Sequence, residues 1–183
     1  MKRIIKLKIY IYKMACSQTL ASYNLSDCFS SRGGIKAVWV APYVENGFTI
    51  GESGTVTGFS TGVTWFKQEL HRNLASLTST YNYDDSTRSS YVSTEATWQY
   101  LKMQKESRLQ MSALAKSDLM AVVEDANGTY FALGVQEPVK VTNGTGSTGT
   151  DRGERNAYEV TVTDFNEDYP PILDQSAIEK LSQ

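Results

Sequence analysis

The stretch "DLMAVVEDANGTYFALG", Asp118 to Gly134, constrains this chain more than any other. Two apolar runs flank Asn127-Gly128, a residue pair that tolerates the positive φ angles of a type I′ hairpin turn. It predicts two antiparallel strands. Similar punctuation recurs along the chain. "GIKAVWVAPY" from Gly34 alternates Ile35, Ala37, Trp39 and Ala41 on one face with Lys36, Val38 and Val40 on the other, which predicts a strand buried on both sides. "ENG" at Glu45 predicts a turn into "FTIG", and "TVTGFSTGVTWFKQEL" holds two more β-like runs around Gly58 and Gly62. "TWFKQELHRNLASLTSTYNY" reads as one or two strands, followed by a polar loop at Asp84–Ser90.

"STEATWQYLKMQ" permits two readings. Ser93 or Thr94 with Glu95 suits a helix cap, whereas Thr94, Ala96, Trp98 and Tyr100 alternate as in a strand. The strand is favoured to about Met103, with a helix over Lys105–Lys116, where strong helix formers concentrate. "PVKVT" and "AYEVTVTDF" predict two further strands, "YPP" at Tyr169 stops regular structure, and Ser176 with Glu179 has capping-box spacing for a short last helix. Ser and Thr together number 37 and Tyr 11 of the 183 residues, a balance that suits half-buried strands and polar turns. The expected fold is one mainly β domain: an antiparallel β-sandwich or open β-barrel with one flanking helix and a short C-terminal helix.

The formal net charge of -2 conceals an asymmetry. Without Lys2, Arg3, Lys6, Lys8 and Lys13 the remaining 13 basic residues face 20 acidic ones, a formal -7. An acidic body of this kind disfavours tight binding to DNA or RNA. Residues 1–13 form a leader whose apolar positions are broken by lysines, so they match neither a signal peptide nor a bilayer span. Two readings of it remain: an upstream extension of a chain that starts at Met14, or an extra edge strand or basic arm. The domain itself is expected over 14–183. Cys16 and Cys28 would close one short disulfide loop or stay as free thiols, the default in a reducing cytosol, and their number does not suit a zinc site.

Several motifs suggest chemistry. Gly144, Gly146 and Gly149 spell G-x-G-x-x-G, with Asp164 at the distance of a ribose-binding carboxylate. A dinucleotide site needs a helix directly after those glycines, and "TDRGERN" has no apolar residue to pack one, so no cofactor is expected and the stretch Thr142–Asn156 reads as a polar connection between strands. His71 is the single histidine and no G-x-S-x-G elbow accompanies it; "GESGT" at Gly51 has the wrong spacing. Asp84, Asp85 and Asp118 read as solvated loop acids, although a spatially paired carboxylate site is not visible to sequence reasoning. The glycosylation-type triplets at Asn24, Asn127 and Asn143 are of the number that a Ser/Thr-rich chain produces by chance. Trp39, Trp65 and Trp98 suit either a sugar-binding face or core and inter-subunit packing. No catalytic, cofactor-binding or metal-binding residue is expected.

"MACSQTL" at Met14, "GGIKAVWVAPY" at Gly33, "YVSTEATWQY" at Tyr91, "LMAVVEDANGTYFALG" at Leu119 and "GTGSTGT…NAYEVTVTDFNEDYP" together resemble small tail-tube-like virion proteins of crAss-like and related Bacteroidales bacteriophages. The resemblance runs over roughly Met14 to Pro171. It implies a tail-tube-type fold and a structural, non-enzymatic role as a tail-tube or connector-ring subunit. Its partners would be copies of itself, in a ring of six or twelve, and other tail or head–tail connector proteins. Viral double-stranded DNA would pass through the lumen without specific binding. The implied location is the virion tail, with assembly in the host cytoplasm and no membrane contact. A non-enzymatic β-sandwich that binds carbohydrate or acts in adhesion is the other function expected of this residue pattern.

Overall fold

The structure, a computed structural model, describes residues 31–71 and 74–181. The leader, Cys16, Cys28 and Asn24 lie outside the described residues. In order, the elements are β1 (Ile35–Pro42), β2 (Phe48–Ile50), β3 (Val56–Phe59), β4 (Phe66–Glu69), β5 (Ala75–Asp84), β6 (Ser89–Leu101), α1 (Lys105–Ala115), β7 (Leu119–Asp125), β8 (Tyr130–Leu133), β9 (Lys140–Ser147), β10 (Ala157–Asn166) and α2 (Gln175–Leu181). They build two four-stranded antiparallel sheets, β4-β1-β7-β8 (the central sheet) and β5-β6-β10-β9 (the open sheet), plus a β2-β3 ribbon. Neither sheet closes into a barrel.

The central sheet is buried on both faces. One face contributes Val38, Val40, Ala121, Val123 and Leu133 to a core completed by Ala96, Trp98, Val160 and Val162 of the open sheet and by Leu114 of α1. The other contributes Ala37, Trp39, Met120, Val122 and Ala132 to a second core under Phe48, Val56 and α2. This is why β7 reads as a continuous apolar run: six of its seven residues are buried. The alternation expected for β1 holds except at its start. The register shifts between Ile35 and Ala37, and that bulge turns Ile35 to the open-sheet side, with Val38. Lys36 stays exposed and forms an ion pair with the buried Glu124.

The hairpin at Asn127-Gly128 forms, with a different turn. Only Gly128 has positive φ (85°), Gly128 N–H donates to Asp125 O, and Asp125 N–H donates to Thr129 O. The connection is therefore a type I turn with a glycine bulge, not type I′. The cause is Asp125, whose carboxylate accepts from the Asn127 and Thr129 N–H groups at 2.8 and 2.7 Å. The long aromatic stretch splits into β4 and β5, and α1 ends one residue earlier than expected. Ser107 helps to start that helix, its hydroxyl accepting from Gln104 N–H and donating to Lys102 O. At α2 the cap is Asp174, whose Oδ1 accepts from Ala177 N–H at 3.0 Å; the expected Ser176–Glu179 box is absent because Ser176 donates to Asp174 and to Thr57 O.

The segment after "YPP" does more than stop structure. Ala132 N–H donates to Pro171 O and Leu173 N–H to Tyr130 O, so residues 171–173 lie along the free side of β8. The same segment bonds to Val56 through Ile172 O and Asp174 N–H. It covers an edge of the central sheet and ties it to the ribbon.

Candidate assembly surface

Antiparallel pairing in the open sheet fixes which side chains share a face. Leu77, Ala96, Val162 and Val141 stand in one row toward the core. The opposite parity gives Ser76, Thr78 and Thr80 of β5, Thr97 and Gln99 of β6, Glu159, Thr161 and Thr163 of β10, and Thr145 of β9. This outer face is knitted laterally by side chains. Thr97 and Thr161 hydroxyls lie 2.9 Å apart, Thr142 and Thr163 2.8 Å apart, and Gln99 Nε2 donates to Glu159. Glu95 and Glu159 bring acid to the strands of this face, against one strand lysine, Lys140, which lies 3.6 Å from Asp118. The result is a hydroxyl-rich face whose strands carry two acids and one lysine, with Arg155 from the β9–β10 connection donating to Gln99 Oε1 at 3.2 Å.

Both outer strands of this sheet are long edges: β5 has 10 residues and β9 has 8, and among the described residues no strand pairs with the far side of either. All neighbours are antiparallel, so in the order β5-β6-β10-β9 the two edge strands run in opposite directions. A copy related by rotation about an axis would bring its β5 antiparallel to the first copy's β9, and the alternation would continue unbroken.

The glycine motif lies in this edge. Gly144 and Gly146 are strand residues opposite Val160 and Tyr158, not loop residues as the sequence suggested. A Cβ on Gly146 would stand 2.7 Å from the Tyr158 ring, and one on Gly144 3.2 Å from Met111 Cε of α1. These glycines let Tyr158 and α1 lie against β9. Only Gly149 (φ 70°) is in the connection, which Glu154 organises by accepting from Thr150 and Asp151 N–H groups. From Gly149 the chain enters β10 without a helix. Asp164, the fingerprint's carboxylate, is 1% exposed on the core side of β10, opposite Thr94. Asn166 donates to its Oδ2, and burial, only partly offset by the Gly134 and Phe165 N–H groups and Asn166, pushes the carboxyl up to about 6.

The remaining candidates are not brought together. His71 lines a shallow cleft with Glu69, Tyr100 and Glu106. In that cleft Tyr100 donates to Gln68 Oε1 at 2.8 Å, and burial pushes its phenol up to about 12. Among the described residues no three His, Cys, Asp or Glu side chains converge as metal ligands. Asp84 caps a turn, and Asp118 faces Lys140. Trp98 and Trp39 are core residues and Trp65 packs on Phe48 and Phe59, so the three tryptophans form no surface platform. No described helix is long and apolar enough to cross a membrane.

Sequence reasoning missed the polar face and the aromatic residues at one end of it. The parity of "ASLTSTYNYD" carries both: Ser76, Thr78 and Thr80 on one side, Tyr81 and Tyr83 on the other. Tyr81 and Tyr83 are more than half exposed, on the edge strand of the open sheet, although Val92 opposite Tyr81 is buried. No protein-family model matches this sequence, and no characterised protein matches it significantly.

Proposed function

We propose that this protein is a structural, self-assembling subunit that forms a ring by joining the open sheets of neighbouring copies, β9 of one against β5 of the next. The observation that carries this reading is the pair of long, oppositely directed edges that no described strand pairs, on a sheet whose two inner strands are paired on both sides. In a lone subunit such edges are a liability; in a closed ring they disappear. The resemblance to tail-tube-like virion proteins supplies the setting: a bacteriophage tail tube or connector ring, in the virion, around a channel for double-stranded DNA. The hydroxyl-rich outer face of the open sheet then lines the lumen. Its strand acids, Glu95 and Glu159, suit a wall past which a polyanion slides without sticking. No residue is assigned a catalytic role.

Electron microscopy and light scattering of the purified full chain test the proposal. Rings are expected, and a protein that stays strictly monomeric at high concentration overturns it. Paired cysteines scanned along β5 and β9, in a Cys16→Ser/Cys28→Ser background, should trap covalent closed oligomers on oxidation. A product that stops at two copies would instead indicate a β5–β5 dimer. The carbohydrate-binding reading has lost its tryptophan platform, and glycan binding by a monomer would be needed to restore it.

A further inference from the structure

We propose that the free edge of β4 binds an extended peptide of a partner protein, one that carries an arginine or lysine and, four residues later, an apolar side chain. The site belongs to the central sheet and uses none of the strand edges that the ring reading needs.

Among the described residues β4 pairs with β1 on one side and with no strand on the other. With four residues, against ten in β5 and eight in β9, it can hold a short peptide but offers little to a second sheet. The strand keeps its shape without a second neighbour. Buried Gln68 accepts from the Tyr100 hydroxyl at 2.8 Å and donates to Phe66 O at 3.1 Å, which ties β4 to the open sheet. A ready-formed edge loses little conformational freedom on pairing, and main-chain hydrogen bonds supply the affinity of strand addition.

Side-chain choice comes from the cleft between β4 and α1. Phe66 and Gln68 stand beside Val40 and Val38 on the α1 side of the central sheet, and Leu70 packs against the same core. The helix runs alongside in the opposite sense: Ala113 and Leu114 line the cleft with Phe66, whereas Glu106 and Ser107 line it with Glu69 and Leu70. Gln110 borders both parts. The lengths match, since Glu106 to Ala113 rises roughly 11 Å in a helix and Phe66 to Leu70 covers roughly 13 Å of extended chain. The two ends differ in chemistry. The Phe66 end is an apolar groove of about 280 Å³, walled by Val40, Pro42, Phe66, Ala113, Leu114 and Leu119, and Phe66 is 54% exposed at its rim. The other end, about 470 Å³, holds Glu69, Glu106, His71 and Tyr100, and no lysine or arginine lines it. Neither carboxylate pairs with a described cation. All pairings in this sheet are antiparallel. A peptide added in the same way sets one side chain beside Phe66, the second residue before it beside Gln68, and the fourth before it beside Leu70. An apolar group suits the first position and a cation the last, which fixes both the spacing and the chain direction.

The probe is a nine-residue, end-blocked, fluorescein-labelled peptide of threonine and valine with one arginine and, four positions later, one leucine. Its anisotropy with the full chain should show saturable binding, and the peptide with arginine and leucine exchanged should bind roughly tenfold more weakly or worse. Ala113→Arg, which fills the apolar end and adds a cation, should abolish binding. Glu69→Gln with Glu106→Gln should weaken it roughly fivefold at low salt and flatten its salt dependence. All three positions are exposed, so far-UV circular dichroism should not change. Bound peptide should slow amide hydrogen exchange over residues 66–70 and leave β5 and β9 unaffected. Equal binding of the two peptides, protection at β5 or β9 instead, or no binding of either up to about 1 mM overturns the proposal. Saturable binding of decylamine with neither peptide bound assigns the cleft to a small cationic amphiphile and overturns it as well. Each of these failures leaves the ring reading untouched, because β4 takes no part in it.

Discussion

The two four-stranded sheets have the same strand count and the same antiparallel pairing, yet they solve opposite problems. The central sheet is covered on both faces, and the 171–173 segment closes its β8 edge. The open sheet covers one face only, exposes a hydroxylated one, and leaves two long edges unmatched among the described residues. The first is built to be finished by folding. The second, under the function proposed above, is finished by other copies. Stability should therefore reside in the central sheet and assembly in the open one.

The largest expected effect strikes the central sheet. Leu133→Ala, at a fully buried position on β8, should lower unfolding free energy by about 2–5 kcal/mol in urea titrations. A loss below about 1 kcal/mol would mean that the shared core is not where stability resides.

Next comes Asp164, where the sheets meet. Its folded pKa, about 6, lies above the ordinary value of 3.8, so the folded state binds its proton more tightly than the unfolded chain does. That contribution is fully present below about pH 4 and is lost as pH rises through 6, a difference of about 3 kcal/mol by linkage. Asp164→Asn should then stabilise the protein at pH 8 and change little at pH 4. Thermal melts at the two values check the sign, and an equal shift at both would remove titration as the cause.

A smaller effect separates two glycines that look alike in sequence. Gly146→Ala should cost about 1 kcal/mol, because the new Cβ meets the Tyr158 ring, whereas Gly153, with nothing within 4 Å, should tolerate alanine without loss. The smallest concerns the outer face. Thr97→Val with Thr161→Val removes both partners of one hydroxyl pair and should leave stability within about 0.5 kcal/mol. A large loss there would show that the outer face contributes to folding after all and would blur the contrast between the sheets.

Legibility in the sequence followed the range of the interaction. The β7–β8 hairpin, α1 and the strand character of β6 were readable because local pattern decides them. The turn type was not, since Asp125 acts through contacts that an Asn-Gly motif does not encode. Ile35 was placed on the wrong face because a bulge set by pairing with β7 breaks the period of two. Gly144 and Gly146 read as loop residues because glycine lowers strand propensity, and only the neighbouring Tyr158 and Met111 explain why a strand needs them. The candidate assembly surface was half legible: its alternation was written in β5, but its exposure was not.

By itself the sequence determined a mainly β chain with an acidic body, a strong hairpin and one helix of definite position, because propensity and period act over a few residues. Tertiary structure alone decided which sheet is enclosed, which edges no described strand pairs and what the G-x-G-x-x-G stretch is for. Those outcomes depend on residues far apart in the chain, such as Ile172 beside Val56 and Met111 over Gly144, whose meeting no local pattern records.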